Sequence, residues 1–138
     1  MKNKISIILP TYNEKDNIVI LIEQITEELI NEDYEIIVVD DNSPDGTSGK
    51  VEEAMRRFKK LKLLTRTSDR GLVPSVKDGI KMSTGDVCIW MDADLSMSPS
   101  LIKQIERKIN LGADIVLGSR YIPGGGIKGA DISGGKTS

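Results

Sequence analysis

Residues 86–95 read DVCIWMDADL, an apolar strand that runs directly into two carboxylates one residue apart, Asp92 and Asp94. The pair concentrates negative charge where a buried strand turns toward solvent. Carboxylates in such a place bind hard divalent cations, which in turn bridge to phosphate oxygens. Ala93 between them is small enough to let a diphosphate approach. The bland reading is a solvated turn and a cap for the next helix, but Ser98 already suits that cap.

Working outward, strand and helix patterns alternate. KISIILP (4–10) is a short apolar run stopped by Pro10. Residues 14–30 carry Ile18, Leu21, Ile22, Ile25 and Leu29 at helical spacing, with Asn13 as the expected N-cap. YEIIVVD (34–40) is a β-branched strand, 47–60 an amphipathic helix and KLKLLTR (60–66) a third strand. A helix over 72–83 carries Val76, Ile80 and Met82, with Pro74 in its first turn. After the strand at 86–92, Ser98 and Pro99 open a helix over 99–110, and ADIVLGS (113–119) is a fifth strand. Strands separated by helices imply an α/β fold, a parallel sheet between helical layers with right-handed crossovers.

The bulk properties narrow the chemistry. The chain has 138 residues, 38% hydrophobic and 29% charged, which suits one domain with a core. A net charge of -2 gives no general attraction to nucleic acid, so an anionic ligand must be held by local groups or a cation. With His 0, histidine general acid–base catalysis and His-ligated zinc are excluded, which leaves oxygen-ligated Mg²⁺ or Mn²⁺. The single Cys88 reads as a buried structural thiol. No apolar stretch is long enough to span a bilayer, and MKNK carries no signal-peptide pattern. The expectation is a cytoplasmic chain, or one peripheral at the cytoplasmic face of a membrane.

Ligands of parallel sheets bind beyond the carboxyl ends of the strands. Those ends read PTYNE, DDNSPDGT, DADLS and SRYIPGGG, and they converge on one crevice. In the first, Tyr12 offers a flat face for a base, while Glu14 suits either a ligand hydrogen bond or the first turn of a helix. In the second, Asp40 and Asp41 suit either ligand hydroxyls and base N–H groups or the chemistry of a turn. Arg66 and Arg70 flank the third crossover and Arg120 follows the fifth strand; arginine pairs bidentately with phosphate, while single arginines on surface loops are usually just solvated.

In this order PTYNE, VVDDNSPDGT, GLVPSVKDGIKMSTGD, MDADLSMSP and VLGSRYIPGGG make residues 4–126 resemble glycosyltransferase family 2, with its GT-A nucleotide-sugar fold. Within the family the chain looks most like the dolichyl- and polyprenyl-phosphate mannosyltransferases. The resemblance implies a three-layer α/β/α, Rossmann-like architecture with a mostly parallel sheet. It also implies that Pro10, Tyr12 and Glu14 line a nucleoside pocket and that Val39 and Asp41 contact base or ribose. Asp92 and Ala93 would lie along the ribose and diphosphate, Asp94 with Asp92 would hold Mg²⁺ or Mn²⁺, and Arg120 would meet phosphate. Ser96 and Met97 stand where those enzymes usually carry Gln-His, a shorter donor beside the metal. The family's catalytic domain continues well past residue 138. Residues 1–123 are therefore expected to be the N-terminal part of a GT-A domain, and 124–138 a Gly-rich mobile tail or truncated acceptor loop.

The implied reaction is transfer of a hexose, mannose first among them, from GDP-mannose or a UDP-hexose to a lipid phosphate, with inversion. Asp92, Asp94 and Arg120 would carry its chemistry. Two alternatives stay open: nucleotide and metal binding without turnover, and a receiver-type phosphoacceptor domain. Receivers place their acid pair after the first strand and a lysine at the end of the fifth, whereas here Asp40 and Asp41 follow the second and Ser119 and Arg120 end the fifth. A dinucleotide-binding domain would need G-x-G-x-x-G where PTYNE stands.

Overall fold

The computed structural model describes residues 3–109 and 115–117. Its elements alternate as β1 (Ile5–Thr11), α1 (Ile18–Glu28), β2 (Tyr34–Asp40), α2 (Thr47–Ala54), β3 (Leu61–Thr65), α3 (Leu72–Met82), β4 (Val87–Trp90), α4 (Leu101–Ile109) and β5 (Ile115–Leu117). The sheet has the order β3-β2-β1-β4-β5, and each neighbouring pair is parallel. It is the α/β architecture that the alternation of patterns implies. The Gly-rich segment 124–138 and Arg120 lie outside the described residues.

β1 and β2 are buried on both faces, as their near-continuous runs of Ile, Leu and Val require. On one side Ile5, Ile7 and Leu9 join Ile36 and Val38, α1 and Val51 of α2, and Ile102 of α4 belongs to the same cluster. On the other side Ile8, Ile37 and Val39 pack with Ile80 and Met82 of α3 and with Cys88 and Trp90 of β4. The residues that α3 buries most deeply are Ser75 and Gly79, rather than the Val76 stripe the pattern suggested. A β-carbon on Gly79 would sit 2.6 Å from Ile8 Cγ2 and 3.2 Å from Val39 Cγ2. Hydrogen at this position is what lets α3 lie close to the sheet.

The amino ends of the strands are tied by a buried carboxylate. Glu35 accepts from Ser6 Oγ at 2.6 Å, Lys62 Nζ at 2.6 Å and the Thr84 amide at 2.6 Å. Burial alone would raise its pKa, but these hydrogen bonds and the Lys62 charge outweigh burial and lower it from 4.5 to about 2.

Helix starts differ from the sequence expectation. Asn13 is not an N-cap: it takes a left-handed φ of 57°, its amide donates to Ser43 Oγ, and α1 begins only at Ile18. α2 stops at Ala54, and residues 55–60 are not helical beyond it. α4 starts at Leu101, one turn after Ser98, whose Oγ accepts from the Ser100 amide at 3.3 Å.

Candidate functional site

The sheet order creates the crevice. The connections from β1 through β3 run to one side, and the chain then returns past β1 to form β4. β1 and β4 are neighbours at the point where the strand order reverses, and such a switch point is where open α/β sheets bind ligands. Here the loop after β1 carries Tyr12 and Glu14, and the loop after β4 carries Asp92 and Asp94.

Beside the end of β1 lies a cleft of about 430 Å³ lined by Pro10, Tyr12, Asp41, Arg70, Gly71 and Ser75, among others. Its size is within the range of small-molecule sites. Three of the expected nucleoside residues, Pro10, Tyr12 and Asp41, are thus brought together. Tyr12 is 49% exposed, and the Arg70 guanidinium carbon lies 5.0 Å from the centre of its ring. The guanidinium caps one face of the ring in a cation–π contact at the mouth of the cleft. A larger hollow of about 560 Å³ lies against Arg66, Lys77 and Lys81 but has no aromatic wall. Another, of about 600 Å³, borders Ser96 and the acids Glu27 and Glu28.

The two acids that close β2 divide the roles left open by the sequence. Successive strand residues point to opposite faces. Asp40 is fully buried and organises the turn, accepting from Thr11 Oγ1 at 2.6 Å, from the Ser43 amide at 2.9 Å and from Ser48 Oγ at 2.9 Å. Asp41 faces the cleft. Its Oδ1 accepts from Arg66 at 2.9 Å and Ser75 Oγ at 2.9 Å, and its Oδ2 accepts from the Gly71 amide at 2.7 Å. Burial opposes ionisation, yet the Gly71, Ser75 and Arg66 donors prevail and hold its pKa below the usual carboxylate value. The cleft therefore presents an ionised acceptor beside the tyrosine face.

Other expected residues take less direct places. Val39 is fully buried beneath α3, so its side chain faces the core and only its backbone borders the strand end. Glu14 is half-buried: its carboxylate accepts from Asn17 at 3.1 Å and its carbonyl accepts from the Ile18 amide at 2.9 Å, the first bond of α1. Asp45 fixes the start of α2 through Thr47, whose hydroxyl hydrogen bond leads the groups that lower its pKa.

On the loop after β4, apart from the residues that line this cleft, Asp92 is half-buried, Ala93 is packed into the core and Asp94 is exposed. Asp94 Oδ1 accepts from the Ser96 amide at 2.9 Å, and Leu95 between them takes φ 65°, a tight turn that holds the acid at the loop's edge. No group of three or more His, Cys, Asp or Glu suited to a metal occurs among the described residues. Two neighbouring carboxylates without a third fit a Mg²⁺-like ion that takes its remaining oxygens from phosphates and water. They do not fit an all-protein cage.

Sequence reasoning missed Arg66, Gly71 and Ser75 as parts of the site. Arg66 reads as one more solvated or phosphate-seeking arginine, but it is 8% exposed and paired with Asp41 and with Asp78 at 2.7 Å. The hydrogen bond to Asp78 comes first among the causes that raise its pKa. No local pattern marks it out, since its partners are distant in the sequence.

Comparison with known proteins places the chain in a family. Dolichol-phosphate mannosyltransferase of Pyrococcus furiosus is 42% identical over 125 residues, covering 91% of this chain and 35% of that protein. Polyprenol monophosphomannose synthase of Mycolicibacterium smegmatis is 33% identical over 126 residues, covering 88% of this chain and 47% of its own length. The chain thus spans about a third to a half of the curated relatives it matches. A mannosyltransferase from Pyrobaculum calidifontis, solved in complex with GDP-Man and Mn2+, superposes with a TM-score of 0.69 at 25% identity, over 83% of this chain and 33% of that one. The model of glycosyl transferase family 2 matches residues 6–131, nearly the whole chain, and the chain belongs to that family.

Proposed function

We propose that this chain supplies the donor-binding part of an inverting glycosyltransferase that moves a hexose, mannose by preference, from a nucleotide diphosphate to a dolichyl or polyprenyl phosphate. The observation that carries the reading is that a cleft with Tyr12 after β1 and Asp41 after β2, and an aspartate pair after β4, follow the carboxyl ends of three neighbouring strands. The mannosyltransferase names of the relatives support the choice of sugar and acceptor. Residues 1–123 are the donor unit in this reading, working at the cytoplasmic face of a membrane.

Each residue then has a task. Tyr12 stacks on the base, Asp41 accepts from a base or ribose donor, and Pro10 and Glu14 shape the entrance. The exposed Asp94, with Asp92, would hold Mg²⁺ or Mn²⁺, which supplies Lewis-acid stabilisation of the departing diphosphate. Arg120 is assigned to phosphate of donor or acceptor. A lipid phosphate is already ionised near neutral pH and needs no base to activate it, which suits a chain with His 0.

Calorimetry with GDP and UDP, with and without Mn²⁺, beside a sugar-release assay with GDP-mannose, tests the proposal. Metal-enhanced nucleotide binding with sugar release supports it, and absence of nucleotide binding overturns it. The second reading is donor binding by these 138 residues without turnover. Tight binding with no sugar release selects that reading.

A further inference from the structure

Arg66 does not line the nucleoside cleft, yet its guanidinium touches three segments around it. Nη1 donates to Asp41 Oδ1 at 2.9 Å and to Ser75 Oγ at 3.3 Å, Nε donates to Asp78 at 2.7 Å, and Nη2 donates to the Asp69 carbonyl at 2.7 Å. Asp41 uses its other oxygen to accept the Gly71 amide at 2.7 Å. The two partners of one ion pair therefore hold the two ends of a three-residue arch. Arg66 anchors Asp69, and Asp41 anchors Gly71.

The arch needs anchoring. Asp69 takes φ 50° and Gly71 takes φ 135°, both on the side of φ that side chains disfavour. At the crown is Arg70, set over the Tyr12 ring at 5.0 Å. The planar fork of an arginine is suited to linking several acceptors at once, which an ammonium cannot do from one position.

We propose that Arg66 is a positioning residue for nucleoside recognition: it touches no ligand and fixes the Asp69–Gly71 arch so that Arg70 closes the cleft over Tyr12. The inference rests on the reading of this cleft as the nucleoside site. It distinguishes Arg66 from a phosphate ligand and from a residue that serves folding alone.

The test compares wild type, Arg66→Gln, Arg66→Lys, Arg70→Ala and the Arg66→Lys/Arg70→Ala double variant. Calorimetry measures GDP, UDP and inorganic pyrophosphate, and amide exchange follows residues 69–71. Arg66→Lys keeps a buried cation and remains a usable variant where Arg66→Gln fails to fold. Arg66→Lys is expected to exchange its Gly71 amide faster and to bind nucleotide about tenfold more weakly, through lost preorganisation. Pyrophosphate affinity is expected to stay unchanged. The double variant should bind no more weakly than Arg70→Ala, because both changes act through one contact.

Additive losses, a parallel loss of pyrophosphate affinity, or wild-type nucleotide affinity in Arg66→Lys would each overturn the positioning role. Failure of the wild type to bind either nucleotide would overturn the cleft reading itself, a result distinct from the other three.

Discussion

The amide of Met91 donates to the carbonyl of Ile8 at 3.1 Å, so the β1–β4 pairing continues one step past the end of β4. On the opposite flank of β1 the Asp41 amide donates to the Thr11 carbonyl at 3.1 Å. Asp41 and Asp92 thus leave the sheet from backbone already tied to β1. Side chains supported on such rigid elements need little rearrangement to meet a ligand.

Asp94→Ala is expected to remove the Mn²⁺-dependent gain in GDP or UDP affinity and to leave the metal-independent part in place. Titrations with and without the ion check this. A variant whose affinity still rises with Mn²⁺ would exclude Asp94 as a ligand.

Tyr12→Phe should bind nucleotide as the wild type does, whereas Tyr12→Ala should lose about tenfold, since stacking a base on an aromatic ring contributes roughly 1–3 kcal/mol. Competition binding of GDP against pyrophosphate gives the answer. Equal losses for both ligands would point away from stacking.

Asp41→Asn keeps the shape but removes the charge that faces Arg66 and an acceptor for the Gly71 amide. Nucleoside affinity should fall even without metal, and the melting temperature should drop because a buried cation loses one of its two carboxylate partners. Unchanged melting would show that the pair adds little to folding.

Gly79→Ala should destabilise the fold by about 1–3 kcal/mol, the usual cost of overpacking, because the added carbon would meet Ile8. Urea unfolding measures it. A stability equal to wild type would mean that α3 shifts outward freely.

Glu35→Gln tests the clamp at the amino ends of the strands. The folded pKa of about 2 lies below the ordinary 4.5, so the carboxylate's contribution is complete above about pH 4.5 and is lost as pH falls toward 2. The variant should be about 2–3 kcal/mol less stable at pH 7, the scale of hydrogen bonds to a charged group, and the gap should close on acidification. Chemical denaturation at several pH values follows it, and a gap independent of pH would rule out the ionised clamp.

The strands were legible because each is a β-branched or apolar run followed by turn residues, as DNSPDG follows YEIIVVD, although Pro10 does not stop the first: β1 runs through it, paired with Val39, to Thr11. Helix starts were less so. Asn13 has the composition of a cap, but Ser43, thirty positions away, captures its amide. Pro10, Tyr12 and Asp41 could be placed at strand ends, and parallel topology then brought them to one cleft. Arg66 could not be read in this way. Its partners Asp41, Ser75 and Asp78 lie 25, 9 and 12 residues away, and nothing local in the sequence distinguishes a buried arginine with such partners from a solvated one.

The central place of β1 has a consequence for biosynthesis. Ile5 is flanked by Tyr34 on one side and by Val87 on the other, and the Lys4 amide reaches Asp86 across 82 residues. β1 therefore leaves the ribosome well ahead of β4 and waits for most of the described fold to be translated before its second flank is covered. Long-range parallel pairing of this kind is slow to form and exposes apolar surface meanwhile. The nascent ISIIL segment is where a chaperone would be expected to bind.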